Sequence, residues 1–170
     1  METEKPREIL IKGCAYTPRV EEDYNGPDFR YDHITHELAD KVRGLPCYIN
    51  HDVNHEDGTP RKPIGEVVDA YVDSKGNLMT FLHIKDDPVA QQLLPDKLIK
   101  GPDGKRFLGE LSLGTDILLD EREKFNTKVH DRNPKELSIV GKGYRPSAFI
   151  EDFWFVSEGE NIKEKIVDLI

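Results

Sequence analysis

The chain has 170 residues, enough for one domain with a hydrophobic core but short for two. Its 24 basic and 33 acidic residues give a formal net charge of −9, so we expect neither a nucleic-acid surface nor an anionic-membrane surface. No stretch reaches the roughly 18 apolar residues that cross a bilayer, and the first residues lack the apolar core of a secretion signal. We therefore expect a soluble protein that is not secreted by that route. The two cysteines, Cys14 and Cys47, favour free thiols over a disulfide framework or a four-cysteine metal site.

The first half of the chain alternates between strand and helix signals. Ile34, Leu38 and Val42 lie at helical spacing behind a possible Thr35 cap, and Gly44 ends the pattern. The polar residues of 53–63 predict a loop, and residues 73–77 have the composition of a hairpin turn. The strands predicted in this half are residues 8–16, 46–50, 64–72 and 78–84.

The second half contains more strand than helix. Pro88 and the apolar residues after it predict a short helix that ends before Pro95, and residues 161–170 predict a final helix. The charged residues 120–134 predict a loop. The predicted strands are residues 107–119, 136–141 and 147–155. Six or seven strands with two or three short helices favour a β-rich domain, closed or sandwiched, with the helices packed outside.

Polar side chains interrupt three of these strand-like segments, around His51, Ser112 and Glu136. A serine hydroxyl is a weak nucleophile until a neutral imidazole takes its proton, and a third group fixes the imidazole tautomer. The three residue types therefore match what acyl transfer needs. They also fit a structural interpretation in which His51 caps a loop, Ser112 satisfies a backbone group and Glu136 is exposed.

The order and context of these residues resemble a known family. The chain is similar to the capsid-maturation serine proteases of herpesviruses, the assemblins, and to the related prohead proteases of tailed bacteriophages, over roughly residues 8–150. Each motif is short, and the resemblance depends on finding all of them in order. The motifs are Leu-Pro-Cys-Tyr-Ile-Asn-His-Asp at 45–52, Ile-Gly-Glu-Val at 64–67, Leu-Ser-Leu at 111–113 and Ser-Ile-Val-Gly-Lys-Gly at 138–143.

The resemblance implies a β-barrel of about seven mostly antiparallel strands with peripheral helices, formed by a single protease domain over residues 1–170. It makes Ser112 the nucleophile and His51 the general base. Assemblins place a second histidine where this chain has Lys135-Glu136, whereas the phage proteases carry an acidic residue there. Glu136 is therefore the expected third member of the triad, and His130 is its rival.

An oxyanion hole and the absence of a cofactor are also implied. The glycine turn after residue 140 resembles the turn that supplies the oxyanion hole in the family. By this resemblance the backbone N–H of Lys142 donates to the oxyanion, and Arg145 replaces the family's arginine, which holds an oxyanion water. We expect no metal or organic cofactor.

The implied substrates are viral scaffold and major capsid precursor proteins, cleaved during capsid maturation together with autoprocessing. The enzyme would act inside the assembling procapsid, in the host nucleus for a herpesvirus and in the cytoplasm for a phage. The family also implies a weak homodimer joined through helices. Residues 151–170 are a possible dimer contact, because a domain of this size cannot readily bury the apolar face of the last helix. That face consists of Ile162, Ile166, Leu169 and Ile170.

Two functions of other classes stay open. The chain could be a non-catalytic scaffold or capsid-assembly domain of the same fold, or a metal-dependent hydrolase that uses His51, Asp52 and His55. A cysteine nucleophile at Cys47 is disfavoured, because four residues along a strand span about 13 Å and place it out of reach of His51. We expect Cys47 in the core.

Overall fold

The computed structural model describes residues 6–17, 36–116, 133–141 and 148–170, which form seven strands and three helices. The strands are β1 (Glu8–Tyr16), β2 (Pro46–Ile49), β3 (Gly65–Val72), β4 (Leu78–Ile84), β5 (Glu110–Asp116), β6 (Asn133–Val140) and β7 (Ile150–Val156). The helices are α1 (His36–Val42), α2 (Pro88–Leu98) and α3 (Ile162–Leu169). None of these helices is long and apolar enough to cross a membrane.

All seven strands form one sheet in the order β5-β6-β2-β3-β4-β1-β7, which curves into a half-barrel. Among the described strands β2 and β6 form the one parallel pair, and the remaining pairs are antiparallel. The predictions of a β-rich fold, about seven strands and mostly antiparallel pairing are confirmed. The parallel pair needs a long connection between its strands, and residues 50–132 supply it.

Phe149 links two strands that lie near opposite ends of this sheet. Phe149 forms an isolated β-bridge with Glu110 of β5, and its carbonyl oxygen accepts a hydrogen bond of 3.0 Å from the N–H of Cys14 in β1. The N–H of Leu111 in turn donates to the carbonyl of Ala148 at 3.0 Å. The segment that leads into β7 therefore lies against both β1 and β5.

Both faces of the central strands are covered by apolar side chains. Ile9 and Ile11 belong to the main core together with residues of α1 and α2, whereas Leu10 belongs to a second cluster with Phe81 and Ile166. Neighbouring residues of a strand point to opposite faces, so β1 contributes to both clusters. The two cysteines are free and buried, as expected.

The predicted end of α2 is wrong. The helix begins at Pro88, where the Asp87 side chain accepts a hydrogen bond from the N–H of Ala90, but it continues through Pro95 to Leu98. A proline inside a helix removes one backbone hydrogen bond. Continuing the helix buries Leu98 completely, and this burial offsets the missing bond.

The apolar face of α3 is partly buried by the domain itself. Ile166 is 4% exposed, and Ile162 and Leu169 pack against the second cluster. The domain buries most of this face on its own sheet, because the second side of β1 and β4 is apolar. Ile170, which belongs to the predicted face, is exposed, as is its neighbour Val167, and a dimer contact at this end of the chain stays a prediction.

Several strand limits differ from those predicted, among them those of β5 and β6. β5 begins at Glu110 rather than at residue 107, since Phe107 is exposed in a turn, and the predicted part beyond Asp116 lies outside the described residues. β6 begins at Asn133, inside the predicted loop, because Asn133 and Pro134 pair with the end of β5. The rest of that predicted loop, up to residue 132, lies outside the described residues.

Candidate active site

The candidate site is built on β6, which lies between β5 and β2 in the sheet. Ser138 of β6 is directly opposite Ser112 of β5 and directly opposite Tyr48 of β2. Residues directly opposite each other in a sheet point to the same face, so the side chains of Ser112 and Ser138 share one side. Glu136, two residues earlier on β6, lies on that side too. The sheet register therefore sets a serine and a carboxylate on neighbouring strands of one face.

His51 reaches this face from the turn that follows β2. The N–H of Asn50 donates a hydrogen bond of 3.0 Å to the carbonyl of Ile139, which keeps the chain beside β6 as it leaves the strand. Asn50 and His51 then have φ angles of 52° and 57°, in the left-handed region that few residues other than glycine and asparagine adopt. This turn sets the imidazole between β5 and β6, where both of its nitrogens have partners.

The three side chains form a continuous hydrogen-bonded chain. His51 Nε2 lies 2.8 Å from the hydroxyl oxygen of Ser112, and His51 Nδ1 is hydrogen-bonded to Oε1 of Glu136. An ionised carboxylate only accepts hydrogen bonds, so it selects the tautomer with the proton on Nδ1. Nε2 is then free to accept the hydroxyl proton of Ser112, and this arrangement can activate that hydroxyl as a nucleophile.

The surroundings of His51 favour its protonated form. The hydrogen bond to Glu136 raises the pKa of His51 above its ordinary value, partial burial of the ring opposes the shift, and the negative charge of Glu136 adds to it. Glu136 is buried, whereas the His51 side chain is 42% exposed and Ser112 is half-buried. The carboxylate is therefore shielded from water while the serine and the imidazole remain accessible from outside.

Ser138 belongs to this cluster, and the sequence pattern indicates its role only weakly. Its hydroxyl donates to Oε2 of Glu136 at 2.6 Å and accepts a hydrogen bond of 3.1 Å from the backbone N–H of His51. Alternation along the strand places Ser138 on the same face as Glu136. Its contact with the backbone of His51 depends on the pairing of β2 with β6, which no local pattern reveals.

Three other residues expected at the site lie outside the described residues. These are His130, the rival third member, and the two expected oxyanion residues, Lys142 and Arg145. Gly141, which precedes the expected oxyanion turn, is described and exposed at the end of β6.

The surroundings of the alternative metal ligands and of Cys47, the alternative nucleophile, do not favour those roles. The described residues contain no group of three or more His, Cys, Asp or Glu side chains that could hold a metal ion. Asp52 instead forms an ion pair of 3.3 Å with Arg61, and both ring nitrogens of His51 are engaged. Cys47 is completely buried, and burial raises the pKa of its thiol far above the usual range. A buried thiol of this kind is unreactive.

Neither a scan against models of known protein families nor a search of curated protein sequences found a match.

Proposed function

We propose that this protein is a serine endopeptidase in which Ser112 is the nucleophile, His51 the general base and Glu136 the residue that orients His51. One observation carries the proposal: His51 Nε2 lies within hydrogen-bond distance of the Ser112 hydroxyl while its Nδ1 is bound to a buried carboxylate. A base in contact with its nucleophile and held in turn by a third group is the arrangement that nucleophilic catalysis by serine requires.

The reaction follows from the direction of these hydrogen bonds. Ser112 Oγ attacks the scissile carbonyl carbon and its proton passes to Nε2 of His51, while Glu136 stabilises the imidazolium that results. The imidazolium then gives this proton to the leaving amine as the peptide C–N bond breaks. A water molecule, deprotonated by His51, hydrolyses the acyl-enzyme and regenerates the Ser112 hydroxyl.

The oxyanion of the tetrahedral intermediate needs separate donors. The resemblance assigns this role to the backbone N–H of Lys142, with Arg145 in place of the arginine that holds an oxyanion water. The position of Gly141, at the end of the strand that carries Glu136, supports a turn at this edge of the site.

The substrates come from the same resemblance. We propose that the enzyme cleaves viral scaffold and major capsid precursors within an assembling procapsid and processes itself, with the fold completed as an assemblin-like barrel. The curvature of the sheet and the contacts of Phe149 with β1 and β5 support such a barrel. A weak homodimer remains part of the proposal.

The alternatives fit the geometry less well. A non-catalytic assembly domain needs no accessible serine in contact with a histidine whose pKa is raised by a buried carboxylate. A metal-dependent hydrolase would need a free nitrogen on His51, and both are hydrogen-bonded.

Cleavage of a proteome-derived peptide library tests the proposal. We expect mass spectrometry to detect new termini with the wild-type protein, with or without EDTA, and none with Ser112→Ala. Ser157→Ala, which changes an exposed serine outside the site, is the matched control and should cleave as the wild type does. Equal products from wild type and Ser112→Ala would refute the assignment, and loss of cleavage in EDTA would favour the metal-dependent alternative.

A further inference from the structure

The two oxygens of the Glu136 carboxylate have different partners. Oε1 binds Nδ1 of His51, while Oε2 accepts a hydrogen bond of 2.6 Å from the hydroxyl of Ser138. Glu136 is 7% exposed and Ser138 is completely buried, so no bulk water competes for these bonds. With Oε2 held by Ser138, rotation of the carboxylate away from His51 would break two hydrogen bonds at once.

The same hydroxyl also holds the backbone of the histidine. Ser138 Oγ accepts a hydrogen bond of 3.1 Å from the N–H of His51. A hydroxyl has one hydrogen to donate and lone pairs to accept, so Ser138 can donate to Glu136 and accept from His51 simultaneously. His51 has a left-handed φ of 57°, a conformation that needs support from its surroundings. Ser138 thus fixes the distance between the carboxylate and the residue that it orients.

Gly114 leaves the space that this carboxylate occupies. It lies directly opposite Glu136 in the pairing of β5 with β6. A Cβ atom on Gly114 would lie 2.0 Å from Oε1 of Glu136, the oxygen that binds His51. The backbone of Gly114 is not in the left-handed region, so glycine is needed here for its small size and not for its backbone conformation.

On the basis of the proposed function, we infer that Ser138 and Gly114 are positioning residues that hold the Glu136 carboxylate against Nδ1 of His51, Ser138 through its hydroxyl and Gly114 through its missing side chain. In this role neither residue contacts the substrate carbonyl that Ser112 attacks. Both act through Glu136.

The test measures how fast diisopropyl fluorophosphate modifies Ser112, a reaction that needs no known substrate. The Ser112 Oγ–P bond forms, fluoride leaves, and the hydroxyl proton passes through His51 to solvent. Losing a hydrogen bond to a charged group changes such a rate by about 10-fold to 100-fold. We expect a loss of this size in Ser138→Ala, recovery in Ser138→Thr, which keeps the hydroxyl, and a larger loss in Gly114→Ala.

Proton NMR of the His51 Nδ1 hydrogen reports on its hydrogen bond to Glu136. A substitution that lowered only the stability of the protein would leave this signal unchanged in the folded state. The Nδ1 proton of His51 should give a downfield signal, assigned by its absence in His51→Gln, since the His83–Glu8 pair can give a similar one. We expect this signal to broaden or move upfield in Ser138→Ala and in Gly114→Ala, and to stay unchanged in the control Gly101→Ala. In Gly101→Ala the nearest atom would lie 3.3 Å from the new Cβ.

The outcomes separate the two claims. If the wild-type protein is not modified at Ser112, the proposed function fails. If it is modified, but folded Ser138→Ala and Gly114→Ala keep the wild-type rate and the wild-type signal, the positioning inference alone is overturned. Circular dichroism establishes folding. Should Ser138→Ala unfold, Ser138→Thr and Gly114→Ala decide the question by the same two measurements.

Discussion

Ser112 Oγ and His51 Nε2 lie 2.8 Å apart, although β5 and β2 do not pair with each other. β6 lies between these two strands and pairs with both, antiparallel to β5 and parallel to β2. The same strand supplies Glu136, whose carboxylate binds the opposite side of the imidazole. The pairing of β6 with both neighbours thus holds Ser112, His51 and Glu136 at fixed positions relative to one another.

The rate of Ser112 modification should rise with pH around a raised pKa of His51. Only the neutral imidazole can accept the Ser112 proton, so the rate falls as His51 becomes protonated. Because Glu136 raises this pKa, we expect the midpoint of the wild-type profile above the ordinary value of 6.5. Labelling rates between pH 5 and pH 9 check this. A midpoint at or below 6.5 would mean that Glu136 does not stabilise the imidazolium in solution.

Glu136→Gln should change both the height and the midpoint of that profile. Without the carboxylate the pKa of His51 falls, so the acid limb moves to lower pH. Loss of the orienting charge should also reduce the plateau rate by roughly 10³-fold to 10⁴-fold, less than the loss in Ser112→Ala. The same labelling assay measures both effects. Near-wild-type rates in Glu136→Gln together with loss in His130→Ala would assign the third position to His130.

Asn50 should contribute stability through its backbone conformation. Its φ of 52° costs other non-glycine residues about 1–2 kcal/mol, and asparagine tolerates it better than most. We expect Asn50→Ala to lower the free energy of unfolding by about 1 kcal/mol and Asn50→Gly to change it by only a few tenths. Urea denaturation distinguishes them. Equal stability of the alanine and glycine variants would show that the left-handed turn does not persist in solution.

Ile166 should stabilise the monomer, because α3 packs against its own sheet. Truncation of a buried isoleucine costs about 2–5 kcal/mol, so Ile166→Ala should be strongly destabilising. Val167→Ala removes an exposed neighbour on the same helix, and we expect a change within about 0.5 kcal/mol. Denaturation followed by circular dichroism measures both. If Val167→Ala proved the more damaging and its loss depended on protein concentration, α3 would form an intermolecular contact.

Local signals in the sequence predict much of the fold. The limits of β4 match the prediction because its apolar run follows a turn sequence, residues 73–77, that fixes where the strand can begin. The end of α2 was missed because the stop signal at Pro95 is local, whereas the burial of Leu98 depends on the tertiary structure. The packing of Ile162, Ile166 and Leu169 against the sheet depends on the tertiary structure in the same way.

The candidate site likewise contains residues that local sequence signals predict and residues that only the tertiary structure identifies. Residue types and motif order predict His51, Ser112 and Glu136 as site residues, and the structure brings their side chains together. The contributions of Ser138 and Gly114 depend on the register of β6 with β2 and β5, strands that are distant in the chain. No short segment encodes that register, so these two residues emerge only from the folded structure.

The measurement that tests the central claim most directly is the site of modification by diisopropyl fluorophosphate, located by peptide mass spectrometry. A hydroxyl activated by His51 should react far faster than an ordinary serine. We predict modification at Ser112 alone, in EDTA as well as without it, and its loss in His51→Ala. An unmodified Ser112, or one modified equally in wild type and His51→Ala, would contradict an activated serine at this site.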